Sequence, residues 1–308
     1  MPSMQSKYFY GWMNLSRKIK LAFDSTLEEV PSMTTVSGYP PFCARSRSLG
    51  PASQPVTVSG SFRATSWYGS RFSVRCSTSD ERRALFSRIA PVYDNLNDLL
   101  TAGQHRIWKR MAVSWSGAKL GDTVMDLCCG SGDLTFLMSE KVGSSGKVIA
   151  VDFSKDQLLV ASSRQKSIAK PCFGNIEWIE GDACDLHFSD CSFDAITMGY
   201  GLRNVIDRNM AMKEILRVLK LGAKVSILDF NKSNQLWISS FQEWMIDNVV
   251  VPVASRNGLA EDYLYLKNSI REYLTGKELE QLAVNSGFSS ARYYEIAGGV
   301  MGNLLAIR

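Results

Sequence analysis

From Val124 onward, short apolar runs alternate with stretches in which apolar residues recur every three or four positions. Val124 to Cys128 predicts a strand that stops at Cys129-Gly130-Ser131-Gly132, and a helical period follows from Asp133 to Val142. Lys147 to Val151 predicts a second strand, closed by Asp152, before a helix from Lys155 to Ile168. Ile176 to Ile179, Phe193 to Met198 and Lys224 to Leu228 predict three more strands. Met210 to Leu219 has helical spacing and runs into Lys220-Leu221-Gly222, where a cation and a glycine suit a helix C-terminus. Short, nearly continuous apolar strands separated by helices predict a parallel sheet covered on both faces, an α/β domain of about 200 residues. Helices from about Glu81 to Trp115 precede it.

The first eighty residues break this pattern. Residues 1–79 hold 22 Ser or Thr and 6 of the 9 prolines without a sustained apolar period. Such a segment buries too little apolar surface to offset its conformational entropy. It carries a net charge of +6 against −1 for the rest, so the overall +5 belongs to the N-terminus and gives the folded part no nucleic-acid-binding character. From Met33 to Ser79 there is no acidic residue, while Arg45, Arg47, Arg63, Arg71 and Arg75 recur among serines. This is the composition of an organellar leader, and Val74-Arg75-Cys76 before Ser77 has the form of a plastid processing site; a mitochondrial address is the alternative. Residues 1–32, with Asp24, Glu28 and Glu29, fit a leader less well and read as an upstream extension, with translation starting at Met33. Seven cysteines without paired ligand spacing and only two histidines argue against a zinc site, and no metal is expected.

The candidate chemistry begins at the turn Asp126-Leu-Cys-Cys-Gly130-Ser-Gly132-Asp133-Leu-Thr135. A glycine turn after the first strand lets a ligand approach the backbone at the sheet's carboxyl edge. A dinucleotide fingerprint would place a third glycine at Thr135, and Asp126 and Asp133 would repel a pyrophosphate. Both acids suit a cationic ligand, the sulfonium and ammonium of S-adenosylmethionine. Asp152 ends the second strand, placed for two ribose hydroxyls, and Asp182-Ala183 follows the third, placed for an adenine amino group.

Beyond the turn, several spaced segments carry a resemblance. Phe86-Ser-Arg-Ile-Ala-Pro-Val-Tyr93-Asp94-Asn-Leu-Asn97-Asp98, Gly103-Gln-His105-Arg106-Ile-Trp108-Lys109, Phe193-Asp194 through Gly201-Leu-Arg203-Asn204-Val205, Tyr263 to Ile270, and Gly298-Gly299-Val300 stand in order along the chain. With them the chain resembles the ubiquinone/menaquinone C-methyltransferase family. Cys128, where the turn usually has glycine, Gly199, where the family often has serine, and the lack of a proline near Glu272-Tyr273-Leu274 depart from its pattern. The resemblance implies a Rossmann-like class I S-adenosylmethionine-dependent methyltransferase, with a mostly parallel seven-stranded sheet. It implies a leader over 1–76 and a methyltransferase domain over 77–308, with a helical lid at 81–115 and a substrate-side helical insertion at 235–275. Joined to a plastid leader, it implies methylation of a ring carbon in a prenylated naphthoquinol, demethylphylloquinol to phylloquinol, in the chloroplast. The alternatives are a mitochondrial ubiquinone precursor and a catalytically silent cofactor-binding subunit.

Such a transfer needs an electron-rich ring, hence the reduced quinol, and a site that favours the quinolate, aligns the two carbons and keeps water out. The resemblance puts Arg203 and Asn204 at the substrate end, with Tyr93 contacting the quinol oxygen. Arg203 is a poor direct base, which favours an electrostatic role. His105 is the base candidate by its ordinary pKa, or equally a helix residue. A membrane-dissolved substrate also needs a path for its tail. Trp237, Phe241, Trp244, Met245, Asn248 and Val249 lie at helical spacing and predict a tail channel, a peripheral bilayer contact or plain core packing. Val249 to Val253, β-branched and interrupted by Pro252, predicts an extended wall. Oligomeric state is not legible.

Overall fold

The computed structural model describes residues 104–233, 235–256 and 260–308. The leader, most of the predicted lid and Tyr93 lie outside the described residues. The elements run α1 (His105–Trp115), β1 (Thr123–Leu127), α2 (Asp133–Val142), β2 (Lys147–Asp152), α3 (Lys155–Ile168), β3 (Ile176–Glu180), β4 (Phe193–Gly199), α4 (Arg208–Val218) and β5 (Leu219–Phe230). They continue with α5 (Leu236–Met245), α6 (Val251–Arg256), α7 (Ala260–Glu272), α8 (Gly276–Ser286), β6 (Ser290–Ile296) and β7 (Met301–Ile307).

The strands form one seven-stranded sheet in the order β3-β2-β1-β4-β5-β7-β6. Strands β1 to β5 pair in parallel, and β7 runs antiparallel between β5 and β6. Alternation along each strand divides the core between the two faces. Met125, Leu127, Ile149, Val151, Ile196 and Met198 pack with Met212 and Ile215 of α4 and Leu279 and Leu282 of α8. Val124, Val148, Ala150 and Ala195 pack with Trp108 and Ala112 of α1, Leu134 and Met138 of α2 and Leu158 of α3. Both faces being covered explains why the central strands read as apolar runs.

Helix starts follow local chemistry. Ser154 and Asp207 accept N–H bonds from Gln157 and Met210 at the heads of α3 and α4, and Thr275 with Glu278 forms a capping box on α8.

Two predicted boundaries differ. Lys220-Leu221-Gly222 does not end a helix: α4 stops at Val218 and the chain enters β5 directly. Phe193 pairs with Leu219 and Ala195 next with Lys224, so the intervening residues bulge outward, with Gly222 at φ +77°. The glycine punctuates a strand irregularity. The predicted extended wall at Val249 to Val253 is helical instead: a π-turn at Ile246–Val250 leads into α6, whose second residue is Pro252. Pro252 has no N–H to continue the ladder that Val251 N–H still joins by bonding Ile246 O, and the wider π-turn before it makes room for its ring.

Candidate active site

Strand order reverses between β1 and β4, and at such a point the connections leave in opposite directions, opening a crevice beyond the strands' carboxyl ends. A cavity of about 580 Å³ lies there, walled by the ends of β1, β2, β3 and β4 and by Lys109 of α1.

The turn after β1 enters the left-handed region at Cys128 (φ +56°), Gly130 (φ +53°) and Gly132 (φ +92°). The two glycines do different work. At Gly130 an added Cβ would meet only Gln157 Oε1, at 3.9 Å, so the backbone there is open to a ligand. At Gly132 it would lie 2.7 Å from the Trp178 ring; this glycine is required by packing and is not among the cavity-lining residues. Cys128 holds a conformation that costs a side-chain-bearing residue about 1 kcal/mol or more. Gly201 makes room for it: a Cβ there would stand 2.6 Å from the Cys128 Cβ. Burial, then the neighbouring carboxylates of Asp152 and Asp126, pushes the Cys128 and Cys129 thiols well above their ordinary pKa.

Asp152 is buried at the end of β2, where its two oxygens accept the Gly130 N–H at 2.8 Å and the Ser154 N–H at 2.9 Å. These bonds fix the carboxylate on the cavity wall. Asp126 is fully buried and accepts hydroxyl bonds from Thr135 (2.6 Å) and Thr197 (2.9 Å). Burial outweighs both hydroxyls and, with the Asp152 charge adding to it, pushes Asp126 up to about 7. Asp182 and Ala183 line the cavity after β3, with the Asp182 side chain accepting the Cys184 N–H at 2.9 Å. Asp133 also reaches the wall, but its two oxygens are held by Lys109 Nζ (2.5 Å) and Arg164 Nη2 (2.7 Å). Burial acts to raise its pKa; the two cations outweigh it and hold the carboxyl well below its usual range. Its charge is therefore balanced within the protein. Thr135 lies behind the wall as the hydroxyl donor to Asp126.

At the substrate end Asn204 lines the cavity. Arg203 does not. It is buried in the short 3₁₀ turn after β4, its Nε 3.1 Å from Asp229 Oδ1 and its Nη1 bonded to Ser269 of α7 and to Asn204 Oδ1 (3.2 Å). The Asp229 carboxylate also accepts the Arg203 backbone N–H at 3.2 Å. A guanidinium engaged in this way has its charge compensated, which weakens the oxyanion role foreseen for it. Asn204 Oδ1 also accepts the Tyr265 hydroxyl at 3.2 Å, so α7 and the wall share one network. His105, at the head of α1, is buried and does not line the cavity.

Among the wall residues to which the sequence reading gave no role are Lys109, Phe153, Glu180 and Tyr200. Tyr200 sits between two glycines at φ +58°, a strained backbone of the kind that gathers at functional sites, and its ring packs on Phe230. Lys109 left a readable signal. It stands inside the buried stripe His105, Trp108, Lys109, Ala112, Val113, where an unpaired lysine would be costly.

The ubiE/COQ5 methyltransferase family profile matches residues 76–308. The chain belongs to this family. A chloroplastic 2-phytyl-1,4-beta-naphthoquinone methyltransferase of Arabidopsis thaliana is 66% identical over 254 residues, covering 82% of this chain and 97% of the relative. A 2-phytyl-1,4-naphtoquinone methyltransferase of Trichormus variabilis is 50% identical, covering 74% of this chain and 98% of its own length. Among solved structures, an S-adenosylmethionine-dependent methyltransferase from Aquifex aeolicus superposes with a TM-score of 0.51 at 19% identity, covering 70% of this chain and 97% of that one. A second, from Methanococcus maripaludis, gives 0.51 at 20% identity, over 73% and 94% of the two chains. These structures share the fold, which is the class I methyltransferase sheet the sequence led us to expect.

Proposed function

We propose that the chain is a plastid enzyme that transfers a methyl group from S-adenosylmethionine to a ring carbon of a prenylated naphthoquinol, demethylphylloquinol. The observation that carries this reading is the pair of relatives named for the phytyl-naphthoquinone reaction, matched over nearly their whole length. The chloroplast location rests on the Arabidopsis relative's name and on the acid-free, serine-rich stretch before Ser77, read as a leader over 1–76.

The residues present suit the cofactor. An open glycine at Gly130, a rigidly held carboxylate at Asp152 and a second acid at Asp182 stand at three neighbouring strand ends around one cavity. Bound S-adenosylmethionine supplies an electrophilic methyl on a sulfonium. Asp152 would accept the ribose hydroxyls, Asp182 and the Ala183 backbone would hold the adenine edge, and Asp126, close to its own pKa at neutral pH, would gain a reason to ionise when a cation is brought near. Asn204 is the polar wall group at the quinol end, held by the Arg203 and Tyr265 side chains. Arg203 acts there as a positioning residue. No step in this account calls on a metal.

The prenyl tail stays with the bilayer. No described helix is long and apolar enough to cross a membrane. Helix α5, in the insertion over 235–275, turns Ile238 and Gln242 inward, while Trp237 and Trp244, seven residues apart, are 61% and 47% exposed. Indole rings on one helix face suit the bilayer interface. The Phe241 and Val249 side chains lie outside what the structure describes, and Met245 is half-buried.

Labelled S-adenosylmethionine and detergent-dispersed demethylphylloquinone, with and without a reductant, test the reading. Ring label appearing only under reducing conditions is the expected result. Transfer to a demethyl ubiquinone precursor instead would move the protein to the mitochondrial reaction, and cofactor binding without transfer to either would leave a silent subunit. Pelleting with galactolipid vesicles, lost on Trp237→Ser/Trp244→Ser, is expected of the bilayer contact.

A further inference from the structure

We propose that Lys109 receives the methionyl carboxylate of S-adenosylmethionine, fixing the amino-acid end of the ligand against helix α1. This rests on the cofactor reading above and extends it to a residue on a separate element.

Charge balance in the cavity leads to Lys109. Five carboxylates line it among the described residues, those of Asp126, Asp133, Asp152, Glu180 and Asp182, and Lys109 is the one basic side chain on the wall. The proposed ligand brings a sulfonium and an ammonium, which the carboxylates attract, and one carboxylate, which they repel. Without a cation that carboxylate would be buried among like charges.

The geometry of Lys109 suits the task. The residue is 5% exposed, and its ammonium is fixed between Asp133 Oδ2 at 2.5 Å and the Tyr200 ring, whose centroid is 5.8 Å away. An ammonium has three donors, and Asp133 takes one of them. Asp133 does not depend on Lys109 alone, because Arg164 bonds its other oxygen and also donates to the Ser131 carbonyl at 2.8 Å. Lys109 can therefore turn a donor toward an arriving anion while Asp133 keeps a cation. Arg164, which holds the far oxygen of Asp133 from α3, is not on the wall.

The test is calorimetric binding to the full chain of S-adenosylmethionine and of its decarboxylated analogue, which keeps the sulfonium and the ammonium. The wild-type chain is expected to bind the decarboxylated compound about tenfold to a hundredfold more weakly, the span of one charge-assisted hydrogen bond. Lys109→Met should weaken S-adenosylmethionine by the same factor and leave the analogue unchanged, and Lys109→Arg should restore part of the difference. Equal wild-type affinity for the two compounds would overturn the assignment without any variant. So would an equal loss for both in Lys109→Met, which marks damage to α1, or unchanged affinities with slowed methyl transfer, which would give the cation to the quinol oxygen. Binding of neither compound to the wild-type chain would remove the cofactor reading and this proposal together.

Discussion

The two sides of the cavity are built differently. Along β1, β2 and β3 the functional groups stand on the wall, held there by backbone: Asp152 is fixed by two amide donors, and Gly130 exposes main chain. Along β4 and β5 the charged pair Arg203 and Asp229 stands behind the wall, buried with Ser269, and Arg203 acts on the cavity through Asn204, which lines it. The first side acts by contact with a ligand, the second by holding a shape. Loss of a residue should therefore show mainly in binding on the first side and mainly in stability on the second.

The largest effect is expected from Asp229→Ala. It leaves the Arg203 guanidinium buried without its carboxylate, which costs about 3–5 kcal/mol in urea unfolding. The double variant Arg203→Met/Asp229→Met should recover most of that loss while leaving methyl transfer impaired. A single variant of unchanged stability would erase the distinction between the two sides. Asp152→Ala should weaken S-adenosylhomocysteine binding by about 2–3 kcal/mol in calorimetry, with a smaller change in Tm.

Asp126 sharpens the comparison through pH. Its folded-state pKa of about 7 lies above the ordinary 3.8, so the folded chain holds a proton that the unfolded chain has released. Stability from this group is fully present below about pH 4 and declines up to about pH 7, with a limiting slope of about 1.4 kcal/mol per unit. In Asp126→Asn that slope should flatten, and binding of a cationic ligand to the wild type near pH 7 should release a proton, read as a buffer-dependent heat. The smallest effect is expected from Ser269→Ala, about 1 kcal/mol of stability and a raised KM for quinol with little change in cofactor affinity.

The same contrast accounts for what was legible in the sequence. Strand-end acids and turn glycines recur at fixed offsets from apolar runs, so Asp126, Gly130, Asp152 and Asp182 stand out without a structure. The count of seven strands followed from the family resemblance, without their order; the apolar pattern alone yielded five strands and no trace of β6 or β7. Strand β6 lies at the sheet's edge with four of its seven residues exposed, so it lacks the apolar run of a buried strand. The Arg203–Asp229 pairing joins residues 26 apart and the Arg203–Ser269 pairing residues 66 apart, distances across which no local pattern reports. Gly132 and Gly222 show the same limit: a sequence announces a glycine, but only packing tells whether it serves a ligand, a tryptophan ring or a strand bulge.

Cys128 and Cys129 line a chamber proposed to hold an alkylating agent. A thiolate in that place would compete with the quinol for the methyl group and end as a thioether, and each such event would remove one enzyme molecule from use. Burial, and after it the carboxylates that attract the cosubstrate, push both thiols well above their ordinary pKa. The charges that recruit the reagent thus add to the burial that disfavours the thiolate, the form that would compete for its methyl group.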